Sequence, residues 1–259
     1  MRALILCSLF AAGFAGSALA ADPPPEEIIQ KFAAKEAEFR KARENYTYRQ
    51  SVKMEELDPD GRVQGAWEIT SDIIFGPNKQ RVEKVVYAPM ITLKNLTLSP
   101  QDEQDLRDVQ PFVLTTDEIG KYDIHYLSKE NADEIPCYVF SVKPKKMEKG
   151  QRYFEGQIWV DDRDFQIVKT YGKGVGLLKK NEDNQFPKFE TYRQQIDNKY
   201  WFPVYTHADD VLHFRDMSQR IRMVVKYQNY KHFGAETTVT FGDEVTEPKT
   251  TPKTNPPQF

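Results

Sequence analysis

The sequence predicts an α+β protein built on one large, curved antiparallel β-sheet of about ten strands. Long stretches alternate apolar and polar residues between tight-turn signals, as antiparallel strands do. Only two stretches have helical features, one near the N-terminus and a short one inside the chain. Because a sheet of this size seldom stays flat, we expect it to curl or close, with the two helices covering its concave side.

Residues 1–20 have the layout of a cleavable secretory signal. Arg2 precedes an apolar run through Phe14, and the segment ends in the small-residue sequence ALA. A membrane anchor is the alternative interpretation, but the run is short and no charged residue stops it. We therefore expect export, with cleavage between Ala20 and Ala21.

Composition limits the classes of partner. Without Arg2, 35 Lys and Arg residues face 39 Asp and Glu residues, a net charge of −4, so no basic field attracts nucleic acid. No second stretch approaches a membrane span, so we do not expect an integral membrane protein. Cys137 is the one cysteine outside the signal, which excludes an internal disulfide, and its apolar neighbours predict a buried thiol.

The N-terminal helix is predicted over residues 26–45. Pro25 suits the first turn, and the acids that follow it favour the positive end of the helix dipole. Apolar residues recur there at helical spacing, with charges on the other face: Ile28, Ile29, Phe32, Ala33 and Phe39.

Alternating runs dominate the rest of the chain. The first three, YTYRQSVKM, RVQGAWEITSDIIF and QRVEKVVYAP, are separated by the turns DPDG and GPNK and predict a meander. Seven more follow: YDIHYLSKE, IPCYVFSVKP, YFEGQIWVD, FQIVKTYG, FPKFETYRQQI, YWFPVYTHAD and RIRMVVKYQNY. The Pro- and Thr-rich tail 246–259 has no core-forming pattern, so we expect one domain over 21–245 and a disordered tail.

Residues 90–116 interrupt the strand pattern. Ser99 is a predicted helix cap, Pro100 follows at the first helical position, and apolar stretches flank the short helix. Two interpretations stay open: a lid over a cavity, or an ordinary connection packed on the core.

No motif indicates catalysis. In GQIWVDDRDFQIVKTYGKGVG the spacing of the glycines does not match a phosphate-binding loop, and we interpret both the acids and the glycines as turns between strands. A metal-dependent enzyme using His207, Asp209 and His213 is a remote alternative without a supporting motif. We therefore expect a non-enzymatic protein with no catalytic residues, no metal site and no cofactor.

Three segments carry a family resemblance. EGQIWVDDRDFQIVKTYGK resembles a hairpin of the outer-membrane lipoprotein-sorting superfamily (Lol-type, LolA/LolB-like), in which a strand ending in IWVD returns as IVK. FPKFETYRQQIDNKYWFPVYTHADDVLHF and RIRMVVKYQNYKHF resemble a bacterial branch of that superfamily. The likeness covers most of residues 23–235. It implies a periplasmic protein with an incomplete barrel and an apolar cavity for lipoprotein acyl chains.

Candidate cavity residues follow from the strand faces and the interrupted region, although each is also a candidate for ordinary core. They are Val63, Trp67, Ile69, Ile73 and Phe75 in the meander, Met90, Ile91, Leu93, Leu96 and Leu98 in the lid, and Trp159 at a cavity mouth or interface. The predicted function is a carrier or binder of lipid or lipoprotein acyl chains. The alternative is an envelope sensor or scaffold that binds a protein partner, as the resemblance also extends to a stress-sensing regulator.

Overall fold

The computed structural model describes residues 22–177 and 186–233, so the predicted signal segment and tail lie outside the described residues. Ten strands form one antiparallel sheet in the order β3-β2-β1-β10-β9-β8-β7-β6-β5-β4. The sheet is not closed, because β3 and β4 end the order. The strands are β1 (Tyr46–Leu57), β2 (Val63–Phe75), β3 (Arg81–Tyr87), β4 (Tyr122–Ala132), β5 (Ile135–Pro144), β6 (Tyr153–Asp161), β7 (Ile167–Val175), β8 (Phe189–Ile196), β9 (Tyr200–His213) and β10 (Ser218–His232). The predicted fold class is confirmed.

The N-terminal helix, α1 (Pro25–Arg43), fills one half of the concave face. Pro25 stands in the first turn with two acids, and basic residues occupy the last turn, so both ends complement the helix dipole. The apolar stripe of α1 is buried in the main core, where the Phe32 and Phe140 rings lie 5.7 Å apart. The predicted helix is confirmed to within two residues at its C-terminal end.

A buried ion pair ties α1 to the sheet. The Arg193 guanidinium on β8 donates to both carboxylate oxygens of Glu36, at 2.8 and 3.2 Å, and also to the Phe112 and Ile167 carbonyls. Both side chains are 1 % exposed. Burial raises the pKa of Glu36, and the Arg193 charge opposes that rise. Removing either partner would therefore leave a charge without compensation in the core.

One local prediction is wrong. The acids of VDDRD do form the turn between β6 and β7, but Gly172 and Gly174 lie inside β7 rather than in a turn. A Cβ on Gly172 would stand 2.7 Å from the Phe154 ring and 2.4 Å from the Glu155 carbonyl oxygen. The glycine is needed because an aromatic ring crosses the strand, which is a recognised reason for glycine inside a sheet.

The predicted internal helix is present as α2 (Pro100–Gln104). Ser99 accepts a hydrogen bond from the Asp102 N–H, and the Asp102 carboxylate accepts one from the Ser99 N–H, which completes a capping box. A π-helical turn over Asp105–Val109 continues α2 directly. Before α2, residues 88–99 form no regular element and run along one end of the sheet.

Candidate ligand-binding cavity

A cavity of about 800 Å³ lies between the concave face of the sheet and the segment that runs into α2. Its size is within the range of ligand pockets, roughly 300–1,000 Å³. Residues from four strands, four connecting segments, α2 and the π-helical turn line it. Its apolar lining comprises Met54, Trp67, Leu96, Leu98, Leu106, Leu177, Phe186, Leu212, Phe214, Met217, Ile221 and Met223.

The floor of the cavity follows from strand register. Met54 on β1 pairs with Trp67 on β2 and with Met223 on β10, so the three side chains lie in one row on the concave face. Ile221, two residues before Met223, extends this surface toward the end of the sheet. Because alternate residues of a strand share a face, apolar alternation in β1, β2 and β10 creates a continuous apolar floor.

Residues 94–96 form the wall opposite this floor, and Glu56 fixes them in place. Its carboxylate is completely buried and accepts hydrogen bonds from the backbone N–H groups of Lys94, Asn95 and Leu96, at 2.8, 2.9 and 2.7 Å. The Asn95 side chain also donates to Gln219 on β10. Charged acceptors make strong hydrogen bonds with backbone amides, so Glu56 fixes an otherwise irregular segment across the end of the sheet.

A second buried ion pair stands at the rim. Arg152 donates to the two carboxylate oxygens of Asp105 at 2.9 and 2.7 Å, and each side chain is 6 % exposed. The guanidinium also lies 3.9 Å from the centre of the Phe186 ring. Asp105 begins the π-helical turn, and Arg152 precedes β6. The pair therefore joins the helical wall of the cavity to the adjoining loop, and Gly174 leaves room for it on β7.

Gln110 adds a polar group to the cavity lining. Its side-chain nitrogen lies 3.4 Å from the Met223 sulfur. Its side-chain oxygen is buried and has no hydrogen-bond partner among the described residues. A buried acceptor without a donor is costly, and this oxygen is shielded from the cavity space as well as from solvent.

The structure distributes the predicted site residues over several environments. Trp67, Leu96 and Leu98 line the cavity. The remaining candidates do not line it. Ile69 and Ile73 pack in or against the core, and Trp159 is buried with Cys137 in a separate cluster. Phe75 and Leu93 are half-buried, and Val63, Met90 and Ile91 are exposed.

Sequence reasoning missed most of the lining. Leu212, Phe214 and Met217 come from the end of β9 and its turn into β10, and Leu106 comes from the π-helical turn. The alternation in β1 and β10 was visible, but not the pairing of these strands, which are more than 150 residues apart in sequence. Without that pairing, Met54 and Met223 could not be assigned to one surface.

The histidines do not gather into a metal site. Asp209 pairs with Arg220, His213 shares a hydrogen bond with Ser218, and the His207 Nε2 atom lies 3.6 Å from Glu190. Among the described residues there is no group of three His, Cys, Asp or Glu side chains placed to hold a metal ion.

The part of the chain that the structure describes also contains no helix long and apolar enough to cross a membrane.

Comparison with known proteins gives similarities of fold. No family model and no curated protein matches the chain. A LolA superfamily protein from Nitrosomonas europaea is 13 % identical, with 78 % of this chain and 94 % of that chain covered and a TM-score of 0.35. A DUF1329 family protein from Desulfovibrio piger is 11 % identical, with 83 % and 96 % covered and a TM-score of 0.39. An outer membrane lipoprotein-sorting protein domain from Vibrio parahaemolyticus is 13 % identical, with 79 % and 93 % covered and a TM-score of 0.36.

Two of these three proteins belong to the class that the sequence resembles. With identities of 11–13 % and TM-scores below 0.5, what this chain binds has to be argued from its own cavity.

Proposed function

We propose that this protein is a periplasmic, non-enzymatic carrier that holds lipid or lipoprotein acyl chains in its cavity. The observation that carries the proposal is the cavity of about 800 Å³ with a continuous apolar floor. Burial of an acyl chain stabilises a complex by about 0.8 kcal/mol per CH₂ group and needs no reactive residue. The floor of Met54, Trp67, Ile221 and Met223 offers that kind of burial.

The polar groups of the lining suggest how an amphiphile lies. The hydrocarbon chain contacts the sheet, and the head group lies toward the rim, where Lys149 is exposed and the Asp105–Arg152 pair is fixed. A few polar groups in a mainly apolar pocket are typical of sites that orient a small molecule.

Native mass spectrometry tests the proposal. The chain is exported to the periplasm of a host cell, purified without detergent as residues 21–259, and measured before and after organic extraction. The proposal predicts adducts of lipid mass that disappear on extraction. A clean mass of the polypeptide alone would contradict it, because an open apolar cavity of this size would be exposed to membrane lipids throughout purification.

A second candidate function is that of an envelope sensor or scaffold that binds a protein partner. One observation favours it: the β3 edge of the sheet carries exposed apolar side chains, including Val85 and Tyr87. This surface lies on a different part of the molecule from the cavity floor, so both functions can belong to one protein.

A further inference from the structure

The two edges of the open sheet differ in how they are protected. The β4 edge exposes Asp123, His125, Lys129 and Glu130 beside the apolar Tyr126 and Leu127, and has a register shift in its middle, between Tyr126 and Ser128. Edge charges and bulges are the usual means by which sheets avoid pairing with other chains. At this edge the sheet therefore has the expected protection.

The β3 edge also carries charges, at Arg81, Glu83 and Lys84, but its other four residues are apolar and it has no register shift in its middle. Val82, Val85, Val86 and Tyr87 are 44–53 % exposed, and Met90, just beyond the strand, is 87 % exposed. The register of β3 on β2 is regular from Arg81 to Val85 and shifts only near Tyr87. Among the described residues β3 has no strand on its outer side, so its outward backbone groups have no ladder partner. A regular, unpaired edge with exposed apolar side chains is a template for a further strand.

The charges along the convex face indicate which side chain an added strand should place next to β3. Register places Arg49 of β1 opposite Asp72 of β2, and Asp72 opposite Lys84 of β3. Arg49 makes a two-bond ion pair with Asp72, at 2.7 and 3.0 Å. The cross-strand row thus alternates cation, anion, cation and ends at Lys84. An acidic residue in the next position would continue it, since opposite charges on facing residues stabilise paired strands.

We propose that the β3 edge is a docking site for an extended segment of a partner protein. The segment adds to the sheet as an eleventh strand, antiparallel to β3, with an acidic residue opposite Lys84 and an apolar residue opposite Val82. The antiparallel orientation follows from the rest of the sheet and from the slightly greater stability of antiparallel pairs. Backbone hydrogen bonds supply affinity, and the side chains at these two positions supply the choice of partner.

The chain itself provides a probe. Residues 69–75 of β2, ITSDIIF, already pair with β3 with Asp72 opposite Lys84 and Ile74 opposite Val82. A labelled peptide of this sequence is titrated into the full mature protein, with backbone amide NMR shifts as the readout. We expect the amide shifts of residues 81–87 to change, and those of the β4 edge to stay constant.

Charge exchange tests the register. The peptide with Lys in place of its Asp should bind about two- to fivefold more weakly, as expected for a like-charge pair across strands. Lys84→Glu should reverse this preference, so that it binds the Lys peptide better than the Asp peptide. Lys84→Glu places a like charge opposite Asp72, which should cost about 1 kcal/mol or less because Asp72 keeps its pair with Arg49, so this variant is expected to fold. The reversal then distinguishes a changed partner from a damaged protein.

Two N-methylated peptides test the strand geometry. Methylation of alternate amides removes the donors from one edge of a strand. The peptide methylated on the edge that faces β3 should not bind, and the peptide methylated on the opposite edge should still bind. Equal effects of both patterns, or no shift changes at β3, would overturn the proposal. A dilution series of the protein without peptide is the last test. If the amide shifts of residues 81–87 change with protein concentration, the occupant of the edge is a second copy of this chain, and the proposal is overturned.

Discussion

The two halves of the concave face are built from the same kind of alternating strand but are filled differently. Over β5 to β8, the regular helix α1 inserts Phe32 and other apolar side chains into the sheet, and the interior is packed. Over β1, β2, β9 and β10, the cover is the irregular segment 88–99 followed by the short α2, and a cavity of about 800 Å³ remains. A long helix presents a continuous apolar stripe, whereas an irregular segment cannot.

Each half depends on one fully buried glutamate, and the two are used in different ways. Glu36 on α1 pairs with the Arg193 side chain and fixes a helix whose apolar stripe already fills the space. Glu56 on β1 accepts from three consecutive backbone N–H groups and fixes a segment that does not fill the space below it. The same residue type therefore secures packing in one half and an open cavity in the other.

The largest expected effect is in the packed half. Arg193→Met leaves the Glu36 carboxylate in the core without its cation and should lower the free energy of unfolding by about 3–5 kcal/mol. Urea unfolding at neutral pH measures this. Lys35→Met is the control on the same helix, because its pair with Glu38 is exposed and should contribute less than about 1 kcal/mol. Similar losses in the two variants would contradict the role given to Arg193.

A smaller effect is expected at the anchor of the open half. Glu56→Gln replaces one carboxylate oxygen by an NH₂ group that faces backbone donors, and should cost about 1–3 kcal/mol. Hydrogen exchange at residues 94–96 should become faster, while exchange in α1 stays slow.

Glu55→Gln is the neighbouring control for this anchor. Glu55 lies on the other face of β1, near Lys53 and Arg222, and its substitution should leave exchange at residues 94–96 unchanged. If Glu56→Gln also leaves that exchange unchanged, the carboxylate does not hold the segment.

The two halves also differ in how far the sequence predicts them. Local signals were sufficient for α1, for the strands and for the Ser99–Asp102 cap, because spacing and capping depend on near neighbours in the chain. The glycines of β7 were misinterpreted because the ring that requires Gly172 belongs to Phe154 on another strand. Local sequence contains no information on such a contact.

The cavity was predicted only in part for a similar reason. Trp67, Leu96 and Leu98 lie in segments that alternation and the break in strand pattern had singled out. Leu212 and Met223 join them through pairing of β1 with β10 and of β10 with β9, which brings distant parts of the chain together. Buried Glu56 could not be found from sequence, because an acid in a strand is usually exposed.

The most direct test of the cavity as a ligand site compares two substitutions on the β9–β10 hairpin. Met217 lines the cavity and is 37 % exposed, whereas Val211 is 40 % exposed and does not line it. Both side chains are partly exposed, so both variants should fold, although Val211 lies inside β9 and Met217 in the turn; circular dichroism checks this. The measurement is the affinity of each variant and of the unaltered protein for a fluorescent fatty acid, cis-parinaric acid.

We expect Met217→Asp to weaken binding about ten- to a hundredfold, since it replaces roughly 1.5–3 kcal/mol of apolar burial by a charge. Val211→Asp should bind as the unaltered protein does. Equal affinities in both variants, or no measurable binding by the unaltered protein, would contradict the assignment of the cavity as the site that holds acyl chains.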